Sequence, residues 1–188
     1  MVEEYGLFFG GKWRRSEGKR FETRNPATGE VLATFPLATA REVGAGIKSA
    51  KDASEAWRKT PAPRRGEILL EAAHVIKRKK EALGRVVTSE MGKVIAEGRG
   101  DVQEAIDFFT YAAGEGRRMF GETVPSELPN KVCMTVRIPV GPVGLITPWN
   151  FPVAIPAWKS GAALIAGCPI VLKPSSLTPL CAAELVEC

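Results

Sequence analysis

The alternation of apolar and polar positions divides the chain into three textures. Up to residue 36 it is short-period and turn-rich. Leu7-Phe8-Phe9, Gly10-Gly11 and then Lys12-Trp13 predict a hairpin closed by a glycine turn. Asn25-Pro26-Ala27-Thr28-Gly29 carries turn chemistry, and Val31 to Phe35 returns as a strand. From Thr39 the period lengthens. Thr39-x-x-Glu42 is a capping box, and Val43, Ile47, Ala50 and Trp57 recur behind it at helical spacing. One continuous second helix is expected after Pro63, with Leu69, Ala72, Ile76, Leu83 and Val87 on one face and Gly92 at its end. A third helix carries Val102, Ala105, Ile106, Phe109, Ala112 and Ala113 on one stripe.

From Phe120 the texture becomes β. Gly121 to Val124 and Lys131 to Arg137 flank a turn at Pro129-Asn130, the pattern of a second hairpin. At about Gly141 a strand begins, followed by a helix over roughly residues 155–166, a strand over 169–172 and a further helix opening near Thr178-Pro179. Two buried strands joined by a helix form a βαβ unit, and an open α/β sheet binds its ligands beyond the carboxyl ends of such strands. The fold class is therefore α/β.

Composition narrows the picture. The 188 residues are 45% hydrophobic and 25% charged, a soluble globular balance far from that of disordered chains. The net charge of +5 comes largely from Lys77-Arg78-Lys79-Lys80 and Arg14-Arg15. No aromatic stacking platforms are interleaved with these runs, so they read as a solvated helix face and a hairpin end, with no nucleic-acid site. Residues 138–158 carry no charge, but Pro139, Pro142, Pro148, Pro152 and Pro156 forbid a membrane helix and point to buried core. The start, Met1-Val2-Glu3-Glu4-Tyr5, is not a signal peptide. Four cysteines with no CxxC pair suit reduced thiols, and a cytoplasmic location is expected.

Asn150 and Lys173 are the leading candidates for chemistry. Each follows a predicted strand end, where an amide can aim its NH2 at a reacting centre and an ammonium can offer three donors. Asn150 could instead cap a turn, Lys173 could mark a strand emerging into solvent, and Trp149 could be core packing. Cys168, in Ala166-Gly167-Cys168-Pro169, sits in an apolar setting that blunts a nucleophile. Cys133 and Cys181 are expected to be structural, Cys188 is terminal, and His74, the single histidine, reads as a surface residue. Neither GxGxxG nor a metal-ligand cluster occurs.

The segment Gly141-Pro142-Val143-Gly144-Leu145-Ile146-Thr147-Pro148-Trp149-Asn150-Phe151-Pro152, followed by Val171-Leu172-Lys173-Pro174-Ser175-Ser176 and preceded by Asn25-Pro26-Ala27-Thr28-Gly29-Glu30, resembles the NAD(P)-dependent aldehyde dehydrogenase superfamily. The resemblance runs the length of the chain. It implies the amino-terminal part of a Rossmann-like cofactor domain. Residues 1–119 would be that domain's first strands and helices, 120–139 a β-hairpin oligomerisation arm, and 140–188 the start of the NAD(P)-binding βαβ unit. It implies oxidation of a small-molecule aldehyde to an acid through a thiohemiacetal and thioester, in a homo-oligomer (dimer or tetramer). Asn150 would donate to the oxyanion. Ile146, Thr147, Pro148, Trp149, Asn150, Lys173, Pro174, Ser175 and Ser176 would line the cofactor groove, with Lys173 on the adenosine ribose hydroxyls. Ser176 departs from the glutamate that NAD-preferring members often carry, so NADP should be accepted as well as NAD. Two serines could also simply open the loop before the next helix. The family's catalytic cysteine, GxTxxG segment and general-base glutamate have no match here, so the chain by itself is expected to be inactive. The competing expectation is a non-catalytic cofactor-binding or assembly module.

Overall fold

In a computed structural model, which describes residues 2–188, residues 2–36 include five short strands. These are β1 (Glu3–Glu4), β2 (Leu7–Phe9), β3 (Lys12–Arg14), β4 (Arg20–Arg24) and β5 (Val31–Pro36). β2 and β3 pair as the expected hairpin, with Gly10 and Gly11 at φ 63° and 73°, backbone values that suit a twisted two-residue turn. β5 is central to a separate sheet, parallel to β1 and antiparallel to β4. Tyr5 stacks on Phe35 beneath it.

Helix α1 (Ala40–Lys59) begins with the capping box: the Glu42 N–H donates to Thr39 Oγ1 at 3.3 Å and the Thr39 N–H returns to Glu42 Oε2 at 2.8 Å. Glu42 also accepts from the Glu17 N–H at 2.9 Å. The Thr39 and Glu17 amides hold the Glu42 carboxyl at about 2, well below its ordinary value. A folded value below the unfolded one gives stability that is present above the ordinary carboxylate pKa and lost as pH falls towards about 2. Acid unfolding curves of wild type and Glu42→Gln should therefore converge in that window. Thr39→Ala should cost about 1 kcal/mol, read as a lower urea midpoint at unchanged slope.

The second helix is not continuous. α2 (Ala62–Arg78) and α3 (Lys80–Met91) are separated at Lys79, whose ψ of 4° leaves helical geometry. The bend lets Leu69, Ala73 and Ile76 of α2 and Leu83 and Val87 of α3 reach one core. That core is built around Val102, Ala105, Ile106 and Phe109 of α4 (Ile95–Glu115). Gly92, at φ 90°, ends α3. The α3–α4 crossing is close enough that a Cβ on Gly98 would lie 2.6 Å from the Gly84 carbonyl oxygen. The basic run is only partly a solvated face. Lys77 and Arg78 are exposed, while Lys79 Nζ donates to the Glu187 carbonyl at 3.4 Å and Lys80 Nζ to Gln103 at 2.6 Å.

β6 (Thr123–Val124) and β7 (Cys133–Met134) form the second hairpin, with Asn130 in its turn at φ 58°. Both strands are exposed, so Cys133 is a surface thiol and not a packed one. Then come β8 (Val143–Ile146), α5 (Ala154–Ile165), β9 (Ile170–Lys173) and α6 (Pro179–Val186), with β8 and β9 parallel. Two expectations of burial are corrected here. Ile138, Val140 and Ile146 are 78–90% exposed, so the uncharged stretch is buried only over part of its length, at Leu145 and Thr147, from Pro152 to Ala154, and at Pro156 and Ala157. β8 and β9 are also not buried strands, because α5 covers one face of a two-stranded sheet and leaves Gly144 and Ile146 uncovered on β8. No helix among the described residues is long and apolar enough to cross a membrane.

Candidate functional site

Parallel pairing sets the geometry. Ile146 is in register with Lys173, and the Thr147 N–H donates to the Lys173 carbonyl at 3.2 Å. The two strands therefore end side by side, and the turns after them, residues 147–150 and 174–176, leave the same edge of the sheet. At that edge Ile146, Pro148, Trp149, Asn150, Lys173 and Ser176 are exposed, Pro174 and Ser175 are half-buried, and Thr147 is buried. Trp149, 48% exposed, is not a core residue. The two serines differ. Ser175 Oγ accepts from the Leu177 N–H at 3.1 Å and the Ser175 carbonyl accepts from the Thr178 N–H, so Ser175 builds the loop and Ser176 stands open beside it. Thr147 Oγ1 is buried and has no hydrogen-bond partner among the described residues.

The turn carrying Asn150 is held from outside the βαβ unit. Val153, at the start of α5, provides no side-chain cap. Instead Asp101 Oδ1, from α4, accepts the Ala154 N–H at 2.7 Å. Lys93, in the loop between α3 and α4, donates to the Asn150 carbonyl at 3.0 Å. Its Nζ also lies 4.3 Å from the Phe151 ring centroid and 3.6 Å from Asp101 Oδ2. That last distance is an ion pair without a hydrogen bond, and Oδ2 has no hydrogen-bond partner among the described residues. Burial pushes the Asp101 carboxyl up; the Ala154 N–H and the Lys93 ammonium oppose it. The other end of α5 is pinned as well, by Trp57 Nε1 to the Leu164 carbonyl and Arg65 Nε to the Ile165 carbonyl, each at 3.0 Å.

The helix after β9 repeats the device. Glu90, at the end of α3, accepts from the Leu180 and Cys181 N–H groups at 2.8 Å each and from Thr23 Oγ1 at 2.7 Å. Burial raises its carboxyl, against those three donors. Two buried carboxylates of the α3–α4 hairpin thus cap the two helices that follow the two strands.

Sequence reasoning missed Lys93, Asp101 and Glu90. A signal was present for the acids. Glu90 follows Leu83 and Val87 on the buried stripe of α3, and Asp101 precedes Ala105 by one turn on that of α4. A charged residue on a core stripe is seldom idle, because it stays buried only when paired. The buried cysteines and the histidine sort simply. Cys168 and Cys181 are buried, with the Cys181 thiol pushed up by burial, and His74 is exposed. No group of three or more His, Cys, Asp or Glu among the described residues could hold a metal ion.

Known proteins are similar to this chain in sequence and in fold. Residues 13–188 match the aldehyde dehydrogenase family. Aldehyde dehydrogenase family 7 member A1 of Pisum sativum is 39% identical over 175 residues, covering 93% of this chain and 34% of that protein. Among solved structures, an NADP-dependent enzyme of E. coli superposes with a TM-score of 0.95 at 36% identity, over 98% of this chain and 39% of that one. A betaine aldehyde dehydrogenase variant of Staphylococcus aureus, solved in complex with NAD+, gives 0.94 at 33% identity, over 97% of this chain and 38% of that one. The chain thus spans between a third and two fifths of the length of each. With a family match over nearly its whole length and relatives well above 30% identity, the chain belongs to the aldehyde dehydrogenase family.

Proposed function

We propose that the complete protein oxidises an aldehyde to a carboxylic acid with NAD(P), and that this chain supplies the oxyanion donor and the adenosine side of the cofactor groove. The observation that carries the reading is the parallel register of β8 and β9, which sets residues 147–150 beside 173–176 at one sheet edge. The residues there suit a dinucleotide. Lys173 and Ser176 are exposed donors, Ile146 and Trp149 offer exposed apolar surface, and no carboxylate stands among them. Ile146, Thr147, Pro148, Trp149, Lys173, Pro174, Ser175 and Ser176 would hold the cofactor, whose nicotinamide supplies a hydride acceptor. Lys173 would donate to the ribose hydroxyls, and the Asn150 amide would donate to the oxygen that gains charge when a thiolate adds to the aldehyde. That thiolate would come from elsewhere in the complete protein, since Cys168 and Cys181 are packed in the core, Cys133 lies on the exposed hairpin, and burial pushes the half-buried Cys188 thiol up while it donates to the Glu184 carbonyl.

Cofactor choice follows from position 176. A carboxylate there would face a 2′-phosphate, and two charges about 4 Å apart repel by about 4 kcal/mol at an effective dielectric near 20. Ser176 removes that repulsion and offers a hydroxyl, while Lys173 brings a positive charge to the same edge. Assayed by aldehyde-dependent nicotinamide reduction, the complete protein should use NADP at least as well as NAD. Ser176→Glu should move the ratio of kcat/KM values towards NAD by roughly tenfold or more. No turnover of any aldehyde by the complete protein would sink the functional reading. Strong NAD selectivity in the wild type would sink only the serine argument.

A further inference from the structure

We infer that Lys93 is a positioning residue for the reaction: it holds the main chain of Asn150 so that the side-chain amide presents its donor where the oxyanion forms. The inference rests on the reading of Asn150 as that donor. The Lys93 side chain is 7% exposed although it carries a charge, and its ammonium meets two features of one turn and a carboxylate of α4. It donates to the Asn150 carbonyl at 3.0 Å, lies over the Phe151 ring, and faces Asp101 Oδ2 at 3.6 Å. Asp101 in turn binds the Ala154 N–H at 2.7 Å, so residues 150–154 are fixed at both ends by groups from another helical hairpin. Asn150 lies in neither strand nor helix, so no regular ladder fixes its carbonyl. A lysine that served only to fill space would not need its charge desolvated here, because a buried ammonium is tolerated only when its donors are used.

A catalytic donor must be placed to within a fraction of an ångström, and a misplacement of about 1 Å can lower a rate about 10²-fold. In the complete enzyme, Lys93→Met keeps the aliphatic stem and removes the ammonium. The kcat should fall by about ten- to a hundredfold while the dissociation constant for NAD(P) stays unchanged. The double variant Lys93→Met/Asn150→Ala should be no slower than Asn150→Ala alone, because two residues that act as a unit do not contribute independently. A purely structural role for Lys93 would instead lower cofactor affinity and rate together and add its loss to that of Asn150→Ala. If Lys93→Met does not fold, Lys93→Gln, which is shorter and uncharged but still polar, enters the same cycle with the same expectation. A slow Asn150→Ala beside an unaffected or independently additive Lys93 variant overturns the inference alone. A wild-type rate for Asn150→Ala overturns the reading of Asn150 and the inference together.

Discussion

Asn150→Ala in the complete enzyme is expected to lower kcat by about 10²–10³, equivalent to roughly 3–4 kcal/mol of transition-state stabilisation. The size follows from where the charge appears. A ground-state aldehyde oxygen carries little negative charge, whereas the oxygen of the tetrahedral adduct carries most of one, so the amide donor acts mainly after the thiolate has added. Cofactor affinity should barely change, because loss of a transition-state contact lowers kcat and kcat/KM together. The substitution should also leave the turn in place. Its tie to Lys93 runs through the Asn150 carbonyl, which alanine retains. Single-turnover measurements separate chemistry from product release. An effect under about threefold on a rate limited by chemistry would return Asn150 to capping a turn.

The second large effect is on stability. Asp101→Ala should destabilise the complete protein by about 3–5 kcal/mol, the range seen when one member of a buried ion pair is removed. The Lys93 ammonium would lose its facing charge and the Ala154 N–H its acceptor, both in a region closed to water. Asp101→Asn should cost less, because its amide oxygen can still accept from Ala154. Replacing the pair as Lys93→Met/Asp101→Leu should recover part of the loss, since apolar groups of similar volume leave no buried charge behind. Denaturant midpoints across the three variants check the order. A loss below about 1 kcal/mol for Asp101→Ala would mean that water reaches the pair and supplies what the carboxylate did.

Which features could be read in the sequence follows the distance over which their physics acts. The Thr39–Glu42 box, the Gly10-Gly11 turn and the Gly92 helix end depend on neighbours a few residues apart, and each is formed. The two strands and joining helix of the βαβ unit followed from apolar runs broken by Pro and Gly, and the structure forms them within a residue or two. The bend at Lys79 had no local sign: Lys77-Arg78-Lys79-Lys80 is good helix-forming sequence, and the break serves packing on α4. Exposure of Ile146 was hidden for a related reason. A strand's pattern tells which residues are apolar, not how many layers cover them. For the candidate site, Asn150, Lys173 and Ser176 were visible in their motifs. The groups that hold the turns were not, because Glu90 lies 91 residues from the amide it caps at Cys181, and Asp101 lies 53 residues from Ala154.

Those spans have a direction. Glu90 and Asp101 both precede the helices whose amides they accept, so a ribosome releases the acceptors first. The α3–α4 hairpin joins neighbouring segments and can form early, as local contacts do. α5 and α6, at 12 and 8 residues, are too short to persist alone in water, and neither has a side-chain cap of its own. If the hairpin folds first, each helix meets a carboxylate already in place as it leaves the ribosome. Chain order thus places the template ahead of the pieces it aligns, and pulsed hydrogen exchange during refolding should show the α3–α4 amides protected before those of α5 and α6.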